Sequence, residues 1–364
     1  MKKRSLLLAV MMLSIFVLTA CGGASNDKAA NDNKAANNAA ADAGDKKGGE
    51  KLKVGFVTDE GGINDQSFNQ GVWEGLQKVH DDFGFEVSYQ ESKEANDYAP
   101  NIETLLEAGN DVIVAAGFNL GDAMLEAAEA NPDVQFLIVD YAYENGPDNL
   151  AGIQFKAEEP SFLVGYIAGL TTETNKVGFV GGQESTVIQV FEYGYKAGVD
   201  QAAKEKGTKV DVVSQYVGNF SDAAKGKSIA TNMYQQGCDV IFHASGGAGD
   251  GVIEAAKDQD KWVIGVDRDQ SSIAPDNVLT SAMKRADSAV YKVLESLSKG
   301  EDFPGGQNLS YGLKDGDTVD IAPTSDKNVK PEILEKVKAI KEKITKGEIK
   351  VPATAEDYKN FEAK

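Results

Sequence analysis

The stretch Val54-Gly-Phe-Val-Thr-Asp-Glu-Gly-Gly-Ile-Asn-Asp-Gln-Ser-Phe68 joins a short apolar segment to a glycine-rich turn with three carboxylates and an aromatic ring. A strand followed by such a turn is typical of open α/β sheets, which bind small ligands at the carboxyl ends of their parallel strands. Carboxylates can accept hydrogen bonds from hydroxyl groups, and Phe68 can lie against a planar ring. We therefore expect a neutral polar ligand with an aromatic face. Phosphate is a poor fit, because phosphate loops offer backbone N–H groups and a lysine without neighbouring acids.

The pattern around this stretch predicts two α/β lobes. Apolar strands alternate with amphipathic helices over residues 52–174, and the same alternation restarts over residues 175–285. Such alternation is the signature of βαβ units on a parallel sheet. The helix near Ser161–Thr172 is expected to close the first lobe. The fold class predicted is therefore α/β, with two doubly wound parallel-sheet lobes facing each other across a ligand cleft.

The segment 286–364 is predicted as a return segment with a C-terminal helical tail. It contains a strand-like run near Leu309 and an amphipathic helix near Glu332–Lys346. Return of the chain to the first lobe through this segment is a hypothesis, and the pattern leaves the number of crossings open.

The N-terminus indicates export. Basic residues at positions 2–4 precede an uncharged apolar run and a small-residue cleavage site, which is typical of a secretory signal peptide over residues 1–20. Leu18-Thr-Ala-Cys21 resembles the bacterial lipobox, which implies that Cys21 carries lipid. Residues 21–51 are rich in Ala, Asn, Asp, Lys and Gly, so we expect a disordered tether spanning on the order of 30 Å.

Charge and cysteine content exclude several classes of function. The net charge of −20 argues against nucleic-acid binding and against direct adsorption to anionic lipid. With Cys21 used for lipid, Cys238 has no partner for an intrachain disulfide. Its apolar surroundings predict a small core residue and not a reactive thiol.

The sequence offers no enzymatic constellation. The two histidines, His80 and His243, lack further ligands at metal-site spacing, and the serine-hydrolase and phosphate-loop motifs are absent. We expect no metal and no cofactor. The stretch Ser245-Gly-Gly-Ala-Gly-Asp-Gly251 only loosely matches a dinucleotide fingerprint. It is either backbone lining the cleft or a tight turn between strand and helix.

Three residues follow the predicted strands of the second lobe: Phe220, Asp267 and Lys284. Each has an ordinary structural explanation as a core cap, a turn cap or a solvated side chain. Taken together with Phe68 and Asp59, they describe a site in which two aromatic rings sandwich a planar group while charged side chains bind hydroxyls beside it.

Four segments resemble the basic membrane protein family of ABC-transporter lipoproteins, and within it the purine nucleoside receptor A group. They are Asp59-Glu-Gly-Gly-Ile-Asn-Asp-Gln-Ser-Phe-Asn69, Gly194-Tyr-Lys-Ala-Gly198, Gly218-Asn-Phe-Ser-Asp222 and Val263-Ile-Gly-Val-Asp267. The resemblance covers nearly the whole chain after the tether. It implies a type I periplasmic-binding-protein fold, with lobes joined by three strands that close on a nucleoside.

The resemblance also implies roles for individual residues. Phe68 and Phe220 would stack the base, and Asp59, Asp267 and Lys284 would hold the ribose. Asn64, Asp65 and Asp140 would shape the site or support its loop, and Gly247 would supply a backbone contact. Two register choices remain open, one between Asn64 and Asp65 and one between Lys284 and its neighbour Arg285. The implied partners are an ABC permease and ATPase for a monomeric receptor, held by its lipid on the extracytoplasmic face of the cell membrane.

Two alternative functions remain. The first is a sugar or autoinducer receptor of the same fold, although pyranose sites often use tryptophan faces, and Trp73 and Trp262 are predicted to be core residues. The second is a secreted hydrolase with an acidic cleft, which the lack of histidine ligands argues against.

Overall fold

The first half of the chain forms a parallel sheet with helices between its strands. In the computed structural model, which describes residues 51–363, the elements in chain order are β1 (Lys53–Val57), α1 (Phe68–Phe83), β2 (Glu86–Gln90), α2 (Tyr98–Glu107), β3 (Val112–Ala116), α3 (Gly121–Ala130), β4 (Gln135–Val139) and β5 (Leu150–Phe155). Neighbouring strands pair in parallel in the order β2-β1-β3-β4-β5. The central strand β3 is buried along its whole length, as expected of a parallel strand covered by helices on both faces.

The second half repeats this arrangement. Its elements are α4 (Glu158–Thr171), β6 (Lys176–Gly181), α5 (Thr186–Lys206), β7 (Asp211–Tyr216), α6 (Ala223–Gln235), β8 (Val240–Ala244), α7 (Gly249–Gln259), β9 (Trp262–Asp267), β10 (Val278–Lys284), α8 (Ala286–Ser298), β11 (Asn308–Tyr311), β12 (Val319–Ile321), α9 (Pro331–Thr345) and α10 (Ala355–Lys359). The second sheet runs β7-β6-β8-β9-β10, the same order as the first. The repeat seen in the sequence is therefore a repeat of topology.

The C-terminal segment ties the two lobes together. Helix α8 packs against α1, and β11 joins the far edge of the first sheet beside β5. The chain then returns, because β12 pairs antiparallel with β10 in the second sheet and α9 packs against α4. The chain thus passes between the lobes three times, after β5, after β10 and after β11. This confirms the type I periplasmic-binding-protein fold that the resemblance implies.

Helix α4 corrects one expectation. The sequence predicts that it closes the first lobe, but α4 packs along α5 and against β8, β10 and β12 of the second lobe. Phe162, Leu163 and Ile167 on α4 are fully buried in the second-lobe core. A helix that is apolar around most of its circumference must be covered on several sides, and α5, α9 and the second sheet provide that cover.

Cys238 is buried among apolar side chains, which confirms its prediction as a core residue. Within residues 51–363, none of the helices is long and apolar enough to span a bilayer. The predicted signal peptide, Cys21 and almost all of the predicted tether lie outside the described residues.

Candidate ligand-binding cleft

The carboxyl ends of strands from both sheets meet at a cavity between the lobes. Seven of the predicted site residues line it: Asp59, Asp65, Phe68, Asp140, Phe220, Asp267 and Lys284. The space between the walls is about 470 Å³, part of it open to solvent. Lys284 pairs with Asp140 and Ser67 donates to Asp267 across the two lobes, so the lobes are closed against each other beside this space.

The carboxylate of Asp65 is hydrogen-bonded within its own loop. Its carboxylate accepts hydrogen bonds from the backbone N–H groups of Ser67, Asn69 and Gln70 at 2.9 to 3.0 Å and from the Asn69 side chain at 2.9 Å. These donors lie at the start of α1, where backbone N–H groups lack partners within the helix. Asp65 therefore fixes the turn that leads into α1.

Asp59 keeps one oxygen free for a ligand. Its Oδ1 accepts from the Gly61 backbone N–H at 2.9 Å and from Asn69 Nδ2 at 2.7 Å. Its Oδ2 faces Gly117, where an added Cβ would lie only 2.9 Å away. Burial raises the pKa of Asp59 to about 7, although the two hydrogen bonds oppose the rise. The group therefore changes between hydrogen-bond donor and pure acceptor near neutral pH.

A buried charge cluster joins the two lobes at the cavity. Lys284 Nζ lies 2.5 Å from Asp140 Oδ2 and 3.5 Å from Asp267 Oδ1, and Asp267 Oδ2 accepts from Ser67 Oγ at 2.5 Å. Burial by itself would lower the pKa of Lys284, but the two carboxylates outweigh burial and raise it. The ammonium is therefore held in its charged form although its side chain is only 5% exposed.

The two carboxylates of this cluster occupy equivalent places in the two sheets. Asp140 follows β4 and Asp267 ends β9, and both have left-handed backbones with φ of 66° and 64°. Such a conformation is unfavourable for residues other than glycine and is found where a side chain must be aimed at a site. Here it turns both carboxylates toward Lys284.

Aromatic rings supply the apolar part of the cavity. Phe68 is the first residue of α1, and Lys284 Nζ lies 4.1 Å from the centre of its ring. Phe220 follows β7 in the second lobe and meets Phe118 edge to face, with ring centres 6.2 Å apart. Phe118 and Phe191 also line the cavity, and the sequence analysis missed both. Phe118 could have been predicted from the sequence, because it stands just past the end of β3 as Asp59 stands just past the end of β1.

Two predicted residues do not line the cavity. Asn64 is exposed, because Asp65 is the residue that turns inward to bind the start of α1. Gly247 packs between the lobes instead, where an added Cβ would lie 3.4 Å from the Phe220 carbonyl and 3.6 Å from the Asp65 side chain. Its neighbour Gly246 lines the cavity. Of the two cations at the end of β10, Lys284 points into the cavity, whereas Arg285 pairs with Asp287.

The histidines lie away from the cavity wall. His80 Nδ1 is 2.7 Å from the Phe85 carbonyl, and His243 is buried beside Gln270. Residues 51–363 contain no cluster of His, Cys, Asp and Glu arranged to hold a metal ion. The arrangement can thus hold a flat, uncharged group between aromatic rings and bind its hydroxyl groups through Asp59, Asp267 and Lys284.

Comparisons with known proteins show the family and the fold of the chain. The family described as ABC transporter substrate-binding protein PnrA-like matches residues 52–355. The chain is 43% identical to the CD4+ T-cell-stimulating antigen of Listeria innocua, over 97% of this chain and 99% of that protein. It is 38% identical to basic membrane protein A of Borreliella burgdorferi, over 86% and 91% of the two chains. A solved solute-binding protein of an ABC transporter system from Aeropyrum pernix superimposes with a TM-score of 0.77 at 27% identity, covering 85% of this chain and 96% of that one.

Proposed function

Because the chain belongs to the Bmp family of PnrA-like ABC transporter substrate-binding proteins, we propose that its cleft captures nucleosides, with purine nucleosides as the preferred class. As a substrate-binding protein of such a transporter, it binds a small molecule and works with a permease and an ATPase. The nucleoside is the finer assignment, and it is supported by the chemistry of the cleft.

The observation that carries this proposal is the pairing of aromatic rings with carboxylates around one cavity. Phe68 and Phe220 come from opposite lobes, and both line the same space as Asp59 and Asp267. A nucleoside has one flat apolar part and one part rich in hydroxyl groups. Each part therefore finds its chemical complement in this cleft.

The charges of the cleft favour a neutral ligand. The positive charge of Lys284 is already paired with Asp140 and Asp267, and the remaining acidic side chains, Asp59 and Asp65, are buried beside the cavity. A phosphate would meet these carboxylates without a free cation to balance its charge. Nucleosides are therefore favoured over nucleotides.

The surroundings of the two rings bear on how a base would stack. Lys284 covers one face of Phe68, so a base can stack only on the other face. Phe220 approaches from the second lobe and is supported at its edge by Phe118. Base stacking on an aromatic side chain is worth about 1–3 kcal/mol, and micromolar affinity requires about 8 kcal/mol in total. Two stacked rings would supply about 2–6 kcal/mol of this, and the hydroxyl contacts would supply the rest.

The polar residues of the cleft divide into those that bind the ribose and those that support them in this proposal. Asp59, Asp267 and Lys284 bind the ribose hydroxyls, while Asp140 holds Lys284 in place. Asp65 shapes the loop that carries Phe68. Asn64 and Gly247, which do not line the cavity in this closed arrangement, support the loop and the approach of the lobes.

The place of action follows from the N-terminal segment. A lipid on Cys21 anchors the receptor, as a monomer, to the extracytoplasmic face of the cell membrane. Incorporation of radiolabelled palmitate into the wild-type chain, and its loss in Cys21→Ala, tests this part of the proposal.

A ligand panel tests the nucleoside assignment. The purified protein is heated with guanosine, inosine, adenosine, the free bases, ribose, a hexose and divalent metals in separate samples. A ligand present at 100 times its dissociation constant adds about 2.7 kcal/mol to the free energy of unfolding. Stabilisation by purine nucleosides, confirmed by titration calorimetry, is the expected result. Stabilisation by the hexose or by a metal, with no response to any nucleoside, would refute the assignment.

A further inference from the structure

The Lys284–Asp140 and Ser67–Asp267 contacts join the lobes at the cavity. Other contacts join the lobes beside it. The Gln66 carbonyl, in the loop between β1 and α1, accepts a hydrogen bond from Gln270 Nε2 at 3.0 Å. The Gln66 side chain donates to Asp250 Oδ2 at 3.3 Å. Gln66 belongs to the first lobe, and Gln270 and Asp250 belong to the second. We call these three residues the Gln66 clasp.

The orientation of the Gln270 amide is fixed by its neighbours. Its Oε1 accepts from the Val266 backbone N–H at 2.9 Å, a group that can only donate. The amide nitrogen must therefore point the other way, toward the Gln66 carbonyl, which can only accept. Gln270 is 1% exposed, and its own backbone N–H donates to Ser281 Oγ at 3.2 Å. These contacts fix the Gln270 side chain of the second lobe in a position facing the first lobe.

A buried histidine completes the support of this arm. His243 Nε2 lies 3.0 Å from Gln270 Oε1, and Ser245 Oγ lies 3.3 Å from His243 Nδ1. Since Gln270 Oε1 is an acceptor, the histidine donates from Nε2 and accepts at Nδ1 in its neutral form. Burial lowers the pKa of His243 to about 4, which keeps that form at neutral pH. The histidine therefore serves the hydrogen-bond network around Gln270.

Two glycines make room for this network. An added Cβ on Gly265 would lie 2.5 Å from Gln270 Oε1, and one on Gly249 would lie 2.1 Å from the His243 ring. Gly265 belongs to the Val263–Asp267 segment, and Gly249 belongs to the glycine-rich loop after β8. Both segments were singled out in the sequence, and the ligand site alone does not account for these two glycines.

The partner in the first lobe is held in an unfavourable backbone conformation. Gln66 has φ of 52°, which is rare for a residue other than glycine. This conformation turns its carbonyl toward Gln270 while its N–H donates to the Gln70 side chain at 3.1 Å. Separation of the lobes breaks the hydrogen bond between the Gln270 amide and the Gln66 carbonyl.

We propose that the Gln66 clasp sets the balance between the open and closed states of the lobes, and that Gln270 is a positioning residue for ligand capture. Neither Gln66 nor Gln270 lines the cavity. The clasp therefore stabilises the closed state. It raises the apparent affinity for every ligand by the same factor, because apparent affinity is proportional to the fraction of the protein that is closed. This inference rests on the proposed function for its ligands, but the closure itself can be measured without one.

Gln270→Glu is the most informative variant. The carboxylate retains acceptors for Val266 and His243 but places an oxygen against the Gln66 carbonyl in place of a donor. Loss of one such hydrogen bond corresponds to about a 5-fold change in an equilibrium constant. In a wild type that is about half closed without ligand, a 5-fold change lowers the closed population to about a sixth, so at pH 8 we expect the dissociation constants for guanosine, inosine and adenosine to rise about 3-fold, with their ratios unchanged. Gln259→Glu, an exposed change of the same charge on α7, should leave them as in the wild type.

Small-angle X-ray scattering of the ligand-free proteins gives the second measurement. The radius of gyration should increase in Gln270→Glu relative to the wild type and to Gln259→Glu, and the variant saturated with nucleoside should regain the closed value. Gln66→Ala removes only the contact to Asp250, so it should show the same two effects to a smaller extent. It replaces Gln270→Glu if that variant fails to fold.

Three results would overturn the inference. Unequal changes among the nucleosides would mean that Gln270 acts on the ligand, and an unchanged affinity would mean that the clasp contributes nothing to capture. In a wild type that is partly closed without ligand, weaker binding with ligand-free scattering identical to the wild type would assign Gln270 a role other than closure. If the wild type binds no nucleoside, the proposed function fails, and the ligand-free scattering of the variants still decides whether the clasp holds the lobes together.

Discussion

Asp59→Asn should make the ligand-free protein more stable at high pH. The change keeps an oxygen for the Gly61 N–H and Asn69 side-chain donors and removes only the ability to ionise. The pKa of Asp59 is raised from 3.8 to about 7 by burial. Because one pKa unit corresponds to about 1.36 kcal/mol, ionising this group in the folded protein costs up to about 4 kcal/mol.

The sign of the effect follows from the number of bound protons. Between about pH 4 and pH 7 the folded protein holds a proton on Asp59 that the unfolded chain has already released. The stability of the wild type therefore falls as pH rises through this window, while the asparagine variant lacks this contribution. We expect the two proteins to be similar near pH 4 and the variant to be about 2–4 kcal/mol more stable at pH 8.

Thermal unfolding at a series of pH values measures this difference. At about 2 °C or more per kcal/mol for a chain of this size, the melting temperature of Asp59→Asn should exceed that of the wild type by about 4 °C or more at pH 8. Asp133→Asn, an exposed change in the loop before β4, is the matched control and should show no widening gap. A constant difference between Asp59→Asn and the wild type from pH 4.5 to pH 8 would refute the reasoning.

The same variant separates stability from binding. If Asp59 accepts hydrogen bonds from ribose hydroxyls, nucleoside affinity of the wild type should fall about 10-fold from pH 8 to pH 6, as the carboxylate becomes protonated. Asp59→Asn should bind weakly at both pH values. Calorimetric titrations at the two pH values check this, and a wild-type affinity independent of pH would exclude an acceptor role.

Three further variants test the other walls of the cleft. Phe220→Ala should weaken nucleoside binding by about 1–3 kcal/mol in titration calorimetry, whereas Phe83→Ala at the far end of α1 should leave it unchanged; equal effects would argue against stacking. For Asp267→Asn, we expect a larger loss of affinity for ribosides than for the free bases, and equal losses would contradict its ribose role. Lys284→Met leaves two buried carboxylates without their cation and should lower the free energy of unfolding by about 3–5 kcal/mol. Urea unfolding measures this against the exposed Lys299→Met, and a similar small loss in both would show that the buried pairing contributes little.

The alternation of apolar strands and amphipathic helices predicted most of the fold. The strands Val112–Ala116, Leu150–Phe155 and Val240–Ala244 coincide with apolar runs of the sequence. By contrast, β12 and α10 are only three and five residues long. Segments of that length do not contain enough residues to establish a periodic pattern.

Part of the cleft could also be read from sequence, because the carboxyl ends of parallel strands converge. Asp59, Phe220, Asp267 and Lys284 stand at or just beyond such ends and line one cavity. Phe118 satisfies the same rule and was overlooked. The choices between Asn64 and Asp65 and between Lys284 and Arg285 required the structure, because neighbouring residues differ only in the direction of their side chains.

The sequence by itself determined the α/β class, the repeated lobe and the residues at strand ends, because these depend on local periodicity and on the order of elements. Only the tertiary structure decided which lobe covers α4, how Lys284 pairs with a carboxylate from each sheet, and how Gln270 reaches Gln66. The Gln270–Gln66 and Lys284–Asp140 contacts join residues more than a hundred positions apart. Their geometry is set by the packing of the two lobes, which no local pattern in the chain records.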